Sequence, residues 1–137
     1  MPQDTPSTPP RQKGPLVWLD MDQKELDDAY DQAVYAPNAP HVHGRREVVN
    51  EKAKKALGEP KRLKYGTPDI EGLDLYQAKG ATNAPVAVYI HGGAWRNGVS
   101  ANFGQPAEML NAAGVHFLAV DFNNIDSVGG SLFPMVD

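Results

Sequence analysis

The feature that most constrains this chain is the run VAVYI (86–90), followed at once by His91-Gly92-Gly93-Ala94-Trp95. A continuous β-branched and apolar run is the pattern of a strand covered on both faces. A second run of this kind, VHFLAVDF (115–122), follows the segment FGQPAEMLNAAG, which reads as a helix ending at Gly114. Strand, helix, strand in that order is a βαβ crossover, which predicts a parallel pair within an α/β sheet. VHFLAVDF is also too apolar to stand as a free sheet edge.

Upstream, RLKYG and LDLYQA alternate apolar and polar residues as half-buried strands do, with TPDIEG as the turn between them. Before Pro60 the pattern is helical. Asp22 with Glu25 three residues on forms a capping-box pattern, and Leu26, Tyr30, Ala33 and Val34 recur at helical spacing. The spacing predicts a helix over 23–35, stopped by Pro37 and Pro40. A second helix is predicted over 44–57, with Val48, Ala53, Ala56 and Leu57 on its apolar side and Gly58 as its stop. The opening MPQDTPSTPPRQKGP reads as a disordered arm, or alternatively as a Pro-rich ligand for another domain. The expected organisation is an arm over 1–19, a helical segment over 20–58 and an α/β portion over 59–137.

Composition excludes several classes of function. The 137 residues carry a net charge of −4, with no basic stripe, so nucleic acid is not expected as a partner. The sequence has no cysteine, which rules out a disulfide framework, a thiolate nucleophile and a Cys-based zinc site. No apolar run approaches the ~18 residues of a membrane helix. The N-terminus lacks the apolar stretch of a signal peptide. A soluble cytoplasmic location is expected.

The residues after VAVYI carry the chemistry. A loop at the C-terminal end of a buried strand is where open α/β sheets place ligands. Gly92 and Gly93 permit backbone angles closed to other residues and leave peptide N–H groups uncovered. Converging N–H groups suit an oxyanion, the charge that develops when a nucleophile adds to a carbonyl. His91 and Trp95 would hold the shape of such a loop. The same residues also fit a tight strand-to-helix turn with no chemistry.

The run LDLYQAKGATNAPVAVYIHGGAWRNG, followed by LNAAGVHFLAVDFNN, resembles the α/β-hydrolase fold. More narrowly it resembles the kynurenine formamidase (arylformamidase)-like esterases and amidases, neighbours of the hormone-sensitive-lipase group. The resemblance covers roughly residues 20–137, and ELDDAYDQAVYAPN is similar to the N-terminal cap helix of that subgroup. It implies an α/β fold, the N-terminal part of an α/β-hydrolase sheet preceded by a helical cap segment. It also implies that the backbone N–H groups of Gly93 and Ala94 form part of an oxyanion hole, with His91 structural and not the triad base. Ala94 stands where lipase-like relatives carry a third glycine, which a backbone donor tolerates.

The family needs a serine on a G-x-S-x-G elbow, then Asp or Glu, then His. No such elbow, and so no acid and histidine following it in that order, is present in this sequence. Ser131 in GGSLF lacks the final glycine and a preceding strand, and reads as a loop serine. His41 and His43 in PHVHG lack a third ligand for a metal, and read otherwise as lining the mouth of the site. His116 at the start of a buried run reads as structural, and Asp121 and Asp126 as loop hydrogen-bonding residues. FNNID departs from the VDYRLAP pattern common in lipase-like relatives.

The reading is therefore the N-terminal portion of a serine hydrolase cleaving an ester, amide, formamide or carbamate, with no metal or organic cofactor. The nucleophile and its partners are expected from a second polypeptide or a C-terminal part carrying Ser-Asp/Glu-His. A homo-oligomer is compatible with this. The alternative is a non-catalytic binding or interaction module on the same fold, and a third, weaker reading is a degenerate fragment.

Overall fold

The computed structural model describes residues 11–80 and 82–135. Of the disordered arm expected over 1–19, residues 1–10 lie outside the described residues. The chain divides into two compact units, one up to His41 and one from Val42 onward.

In the first unit, β1 (Leu16–Trp18) and β2 (Met21–Asp22) form an antiparallel hairpin. β1 falls in the segment read as an arm, where the sequence pattern predicts no strand. Asp22 ends β2 and caps α1 (Gln23–Tyr30) with the full capping box: its carboxylate accepts from the Glu25 N–H, and the Glu25 carboxylate accepts from the Asp22 N–H. The single helix expected over 23–35 is two helices, because Asp31 interrupts it. Its backbone is extended, and its side chain accepts from the Ala33 N–H to start α2 (Gln32–Tyr35). A short carboxylate that bonds nearby backbone competes with helix continuation. The next helix, α3 (Ala39–Leu57), begins five residues before the predicted start. Pro40 lies in its first turn, where a missing N–H costs nothing, so it does not act as a stop.

Asp22 also gathers donors from the chain before it. Its carboxylate accepts from the Gly14 N–H at 2.6 Å and from Arg11 at 2.6 and 2.7 Å. These bonds, that from Gly14 foremost, hold its pKa well below the usual carboxylate range. A depressed folded pKa contributes stability above the unfolded value, near pH ~4, that is lost as pH falls through the folded value. The hairpin and α1 are thus expected to persist near pH ~4 and to open only in stronger acid. Asp22→Ala should open them at neutral pH. Exchange of the Glu25 amide measures this, and a rate at pH 7 unchanged by Asp22→Ala would contradict it.

In the second unit, β3 (Lys61–Lys64), β4 (Gly72–Tyr76), β5 (Val86–Ile90) and β6 (His116–Val120) form one sheet in the order β3-β4-β6-β5. β4 is antiparallel to β3 and β6, and β5 is parallel to β6 with Val86 opposite His116 and Ile90 opposite Val120. The parallel pair and its helical crossover are as the sequence predicts. The crossover contains a 3-10 turn at Ser100–Asn102 and then α4 (Ala107–Ala112). Asn111 ties α4 to the sheet by donating to the carbonyls of Tyr76 and Val115.

Among the described residues the buried core lies on one face of this sheet. Tyr76, Phe117 and Ala119 meet Ala107 of α4, flanked by Leu57, Ala87 and Leu110. Burial of the Tyr76 phenol pushes its pKa up to about 12. α3 is fastened nearby through buried Asn50, which donates to the Ala101 carbonyl and accepts from the Gly104 N–H.

The opposite face carries Leu63, Leu73, Leu75, Leu118 and Val120, all half-buried. It ends on Val86, Val88 and Ile90, which are 52, 59 and 71% exposed. Among the described residues VAVYI is therefore covered on one face and not on both, contrary to what its sequence pattern predicts. Among the described residues β5 has one strand neighbour, and only its Ala87 and Tyr89 side is packed, with Tyr89 against Phe103 and Phe117. β6 lies between β4 and β5, so among the described residues the sheet edges are β3 and β5 and not the last strand.

Among the described residues no helix is long and apolar enough to cross a membrane.

Candidate functional site

The loop after β5 is built on unusual backbone. Gly93 has φ +138°, and Ala94 and Trp95 follow at +53° and +56°. A Cβ at Gly93 would collide with the Asn97 carbonyl oxygen. That position can hold only glycine, because the chain turns back on itself: the Gly93 carbonyl accepts from the N–H groups of both Arg96 and Asn97 at 3.0 Å. Left-handed angles at two consecutive non-glycine residues cost about 1–2 kcal/mol each. Such strain persists where surrounding contacts over-determine the conformation, and it clusters at functional sites.

The consequence of the turn is that the N–H groups of Gly93 and Ala94 have no acceptor among the described residues. Both residues line a cavity of about 660 Å³, together with Tyr65, Ile90, Val120, Phe122 and Met135. A second, more polar cavity of about 510 Å³ lies where Gly92 and Gly93 meet Arg46, Asn50 and Lys54 of α3. Gly92 and Gly93 line both.

His91 anchors the start of the loop. Its ring is buried and stacked between Phe103 and Phe122, with centroids 5.1 and 4.6 Å away. Nδ1 lies 2.9 Å from the Gly92 carbonyl oxygen, so that nitrogen carries the proton and donates it. Nε2 has no hydrogen-bond partner among the described residues and lies 4.0 Å from Asp121 Oδ1. The Trp95 indole is 58% exposed and lines the larger cavity. Trp95 is tied down through its carbonyl, which accepts from the Ile125 N–H at 2.8 Å.

The end of the loop rests on a buried polar cluster. The Ser100 N–H donates to Asp121 Oδ1 at 2.5 Å. Its hydroxyl lies 2.8 Å from Asp74 Oδ2 and 2.9 Å from Asp121 Oδ2. Arg62 Nη1 reaches the same hydroxyl at 2.9 Å, Asp74 Oδ1 at 3.1 Å and Asp121 Oδ2 at 2.6 Å. Burial works against the guanidinium charge, but the bonds to Asp121 and Asp74 outweigh it and hold the Arg62 pKa above its ordinary value. Tyr65 adds a further tie, its hydroxyl donating to the Asp121 carbonyl at 2.5 Å. Ser100 is buried between the two carboxylates.

The other residues flagged in the sequence fall elsewhere. His43 lines the polar cavity, whereas His41 belongs to the first unit. His116 Nδ1 accepts from the Ala78 N–H at 3.0 Å, a structural bond. Asp126 is exposed, and Ser131 Oγ accepts from the Phe133 N–H within its own turn. Arg62, Asp74 and Ser100 escaped the sequence reading. The available signal was Asp74: in GLDLY it shares the face of Tyr76, so a carboxylate on a core face required partners.

No family model matches the chain, and no curated protein matches it. Solved structures do. A candidate thioesterase from Silicibacter sp. TM1040 superposes with a TM-score of 0.62 at 24% identity, over 73% of this chain and 38% of that one. An arylesterase structure gives a TM-score of 0.42 at 26% identity, over 71% of this chain and 35% of that one. The first establishes a shared mixed α/β fold. The chain spans well under half the length of either protein.

Proposed function

We propose that this chain is the N-terminal portion of a serine hydrolase of the α/β-hydrolase type, acting on an ester, thioester, amide, formamide or carbamate. The observation that carries this reading is that Gly93 and Ala94, whose N–H groups have no acceptor among the described residues, line the apolar cavity at the end of β5. They would donate to the oxygen of the substrate carbonyl as a serine adds to it, stabilising the tetrahedral oxyanion. Collapse would leave an acyl-enzyme that water hydrolyses. His91, Gly92 and Trp95 give the loop its shape. The serine, acid and histidine would come from a further polypeptide segment. The open edge of β5 supports this, since a parallel strand added there would end beside the loop. The resemblance to kynurenine formamidase-like enzymes and the thioesterase named for the Silicibacter protein share this carbonyl chemistry. The reading is of the whole enzyme, of which these residues supply the donors.

The test joins two measurements on purified protein. A fluorophosphonate, which labels activated serines, should mark a species carrying more polypeptide than these 137 residues. Acetate, a carboxylate mimic of the oxyanion, should shift the amide resonances of Gly93 and Ala94. A single unlabelled species of this chain's mass whose two amides ignore acetate would overturn the reading in favour of a different role for the fold.

A further inference from the structure

The strained loop is held from one short segment, and that segment is itself held by the buried cluster. Residues 121–125 touch the loop at its start, middle and end. Phe122 stacks on His91, the Ile125 N–H binds the Trp95 carbonyl, and the Asp121 carboxylate accepts from the Ser100 N–H. Asp121 is fixed in turn by Arg62 of β3 and through the Ser100 hydroxyl, which it shares with Asp74 of β4. A hydroxyl has one proton, so it can donate to only one of these two carboxylates. The other needs the Arg62 cation. The cluster thus works as a unit: loss of the Ser100 hydroxyl takes a donor from two buried carboxylates, and loss of Arg62 takes the cation from both.

We propose that Ser100, acting with Arg62, Asp74 and Asp121, is a positioning residue that sets the left-handed geometry of Ala94 and Trp95 and so aims the Gly93 and Ala94 amides. The inference rests on the reading of those amides as anion donors, but it concerns how they are aimed. Ser100 lies outside the cavity and touches no substrate. Its part is played through the loop it terminates. The two members drawn from β3 and β4 fix that loop to the far side of the sheet, across β6.

The backbone carbon shifts of Ala94 and Trp95 report their left-handed angles directly, independent of any activity. In the isotopically labelled full chain, Ser100→Ala is expected to move those shifts towards random-coil values. It should also weaken the acetate response of the Gly93 and Ala94 amides ~10-fold, since bonds to charged groups are lost. Amide exchange of Leu75 and Leu118 in the sheet centre should stay within about twofold, which a general loss of stability would not allow. Arg62→Leu should reproduce the loop effect, and Arg62→Lys, which keeps the cation, should restore most of it. The Arg62 side chain is 42% exposed, so this pair decides the matter if Ser100→Ala does not fold. Ala94 and Trp95 shifts unmoved in Arg62→Leu, or sheet exchange accelerated as much as the loop is altered, overturn the proposal. Wild-type amides that ignore acetate, alongside Ala94 and Trp95 shifts that move in the variants, overturn the anion-donor reading and support the positioning role.

Discussion

Gly93→Val should eliminate the response of the Ala94 amide to acetate and, in the complete enzyme, lower turnover on an activated ester by ~10²–10³, the loss typical of one aligned oxyanion donor. The reason is geometric. The added Cβ meets the Asn97 carbonyl oxygen, so the reverse turn that leaves the amides uncovered cannot close. A β-branched residue also has no comfortable conformation at φ +138°. Ala94→Gly is the matching control. Its N–H remains, and glycine relieves strain of about 1 kcal/mol at φ +53° while adding a similar entropic cost on folding. Its acetate response and melting temperature should therefore stay near those of the wild type. A folded Gly93→Val chain whose amide response lies within twofold of wild type would reduce the loop to an ordinary turn. If that variant unfolds, Trp95→Phe provides the milder perturbation, because it leaves every donor in place.

Much of this architecture is legible in the residues. The βαβ crossover follows from two apolar runs flanking a segment that ends in glycine; the strands stand where the pattern puts them, and the helix is shorter than its 103–114 segment, at Ala107–Ala112. The capping box at Asp22 is readable because its two partners are three residues apart. What the pattern misplaces depends on long-range neighbours. VAVYI carries the composition of a doubly covered strand, yet burial is set by what lies beside and above it, which no local window records. Asp31 breaks a helix whose apolar periodicity continues through it, because one side chain competes locally for the backbone. The site divides in the same way. The glycines announce a loop of special geometry, since only backbone freedom explains them. The cluster beneath is invisible in one dimension: Arg62, Asp74, Ser100 and Asp121 are spread over 60 positions, and only the strand order brings them together.

That cluster should also be where the second unit is most easily undone. Asp121→Ala removes the acceptor of the Ser100 N–H, one acceptor of its hydroxyl and the shortest contact of Arg62. It leaves a buried amide without a bond and shifts the charge balance around Asp74. Breaking one partner of a buried ion pair costs roughly 3–5 kcal/mol, and the partial exposure of Arg62 argues for the lower end, near ~3 kcal/mol. For a domain of this size that corresponds to a fall in melting temperature of about 10 °C. Asp121→Asn keeps an oxygen for the Ser100 N–H but leaves Arg62 with Asp74 as its one countercharge in the cluster, so about half that loss is expected. Asp126→Ala, on an exposed loop residue, should change nothing beyond ~0.5 kcal/mol. A thermal melt followed by circular dichroism ranks the three. The order matters more than any single value. Were Asp121→Ala to melt with Asp126→Ala, the Ser100 bonds would contribute little, and the loop's strain would have to be held by the His91 stack and the Ile125 bond alone.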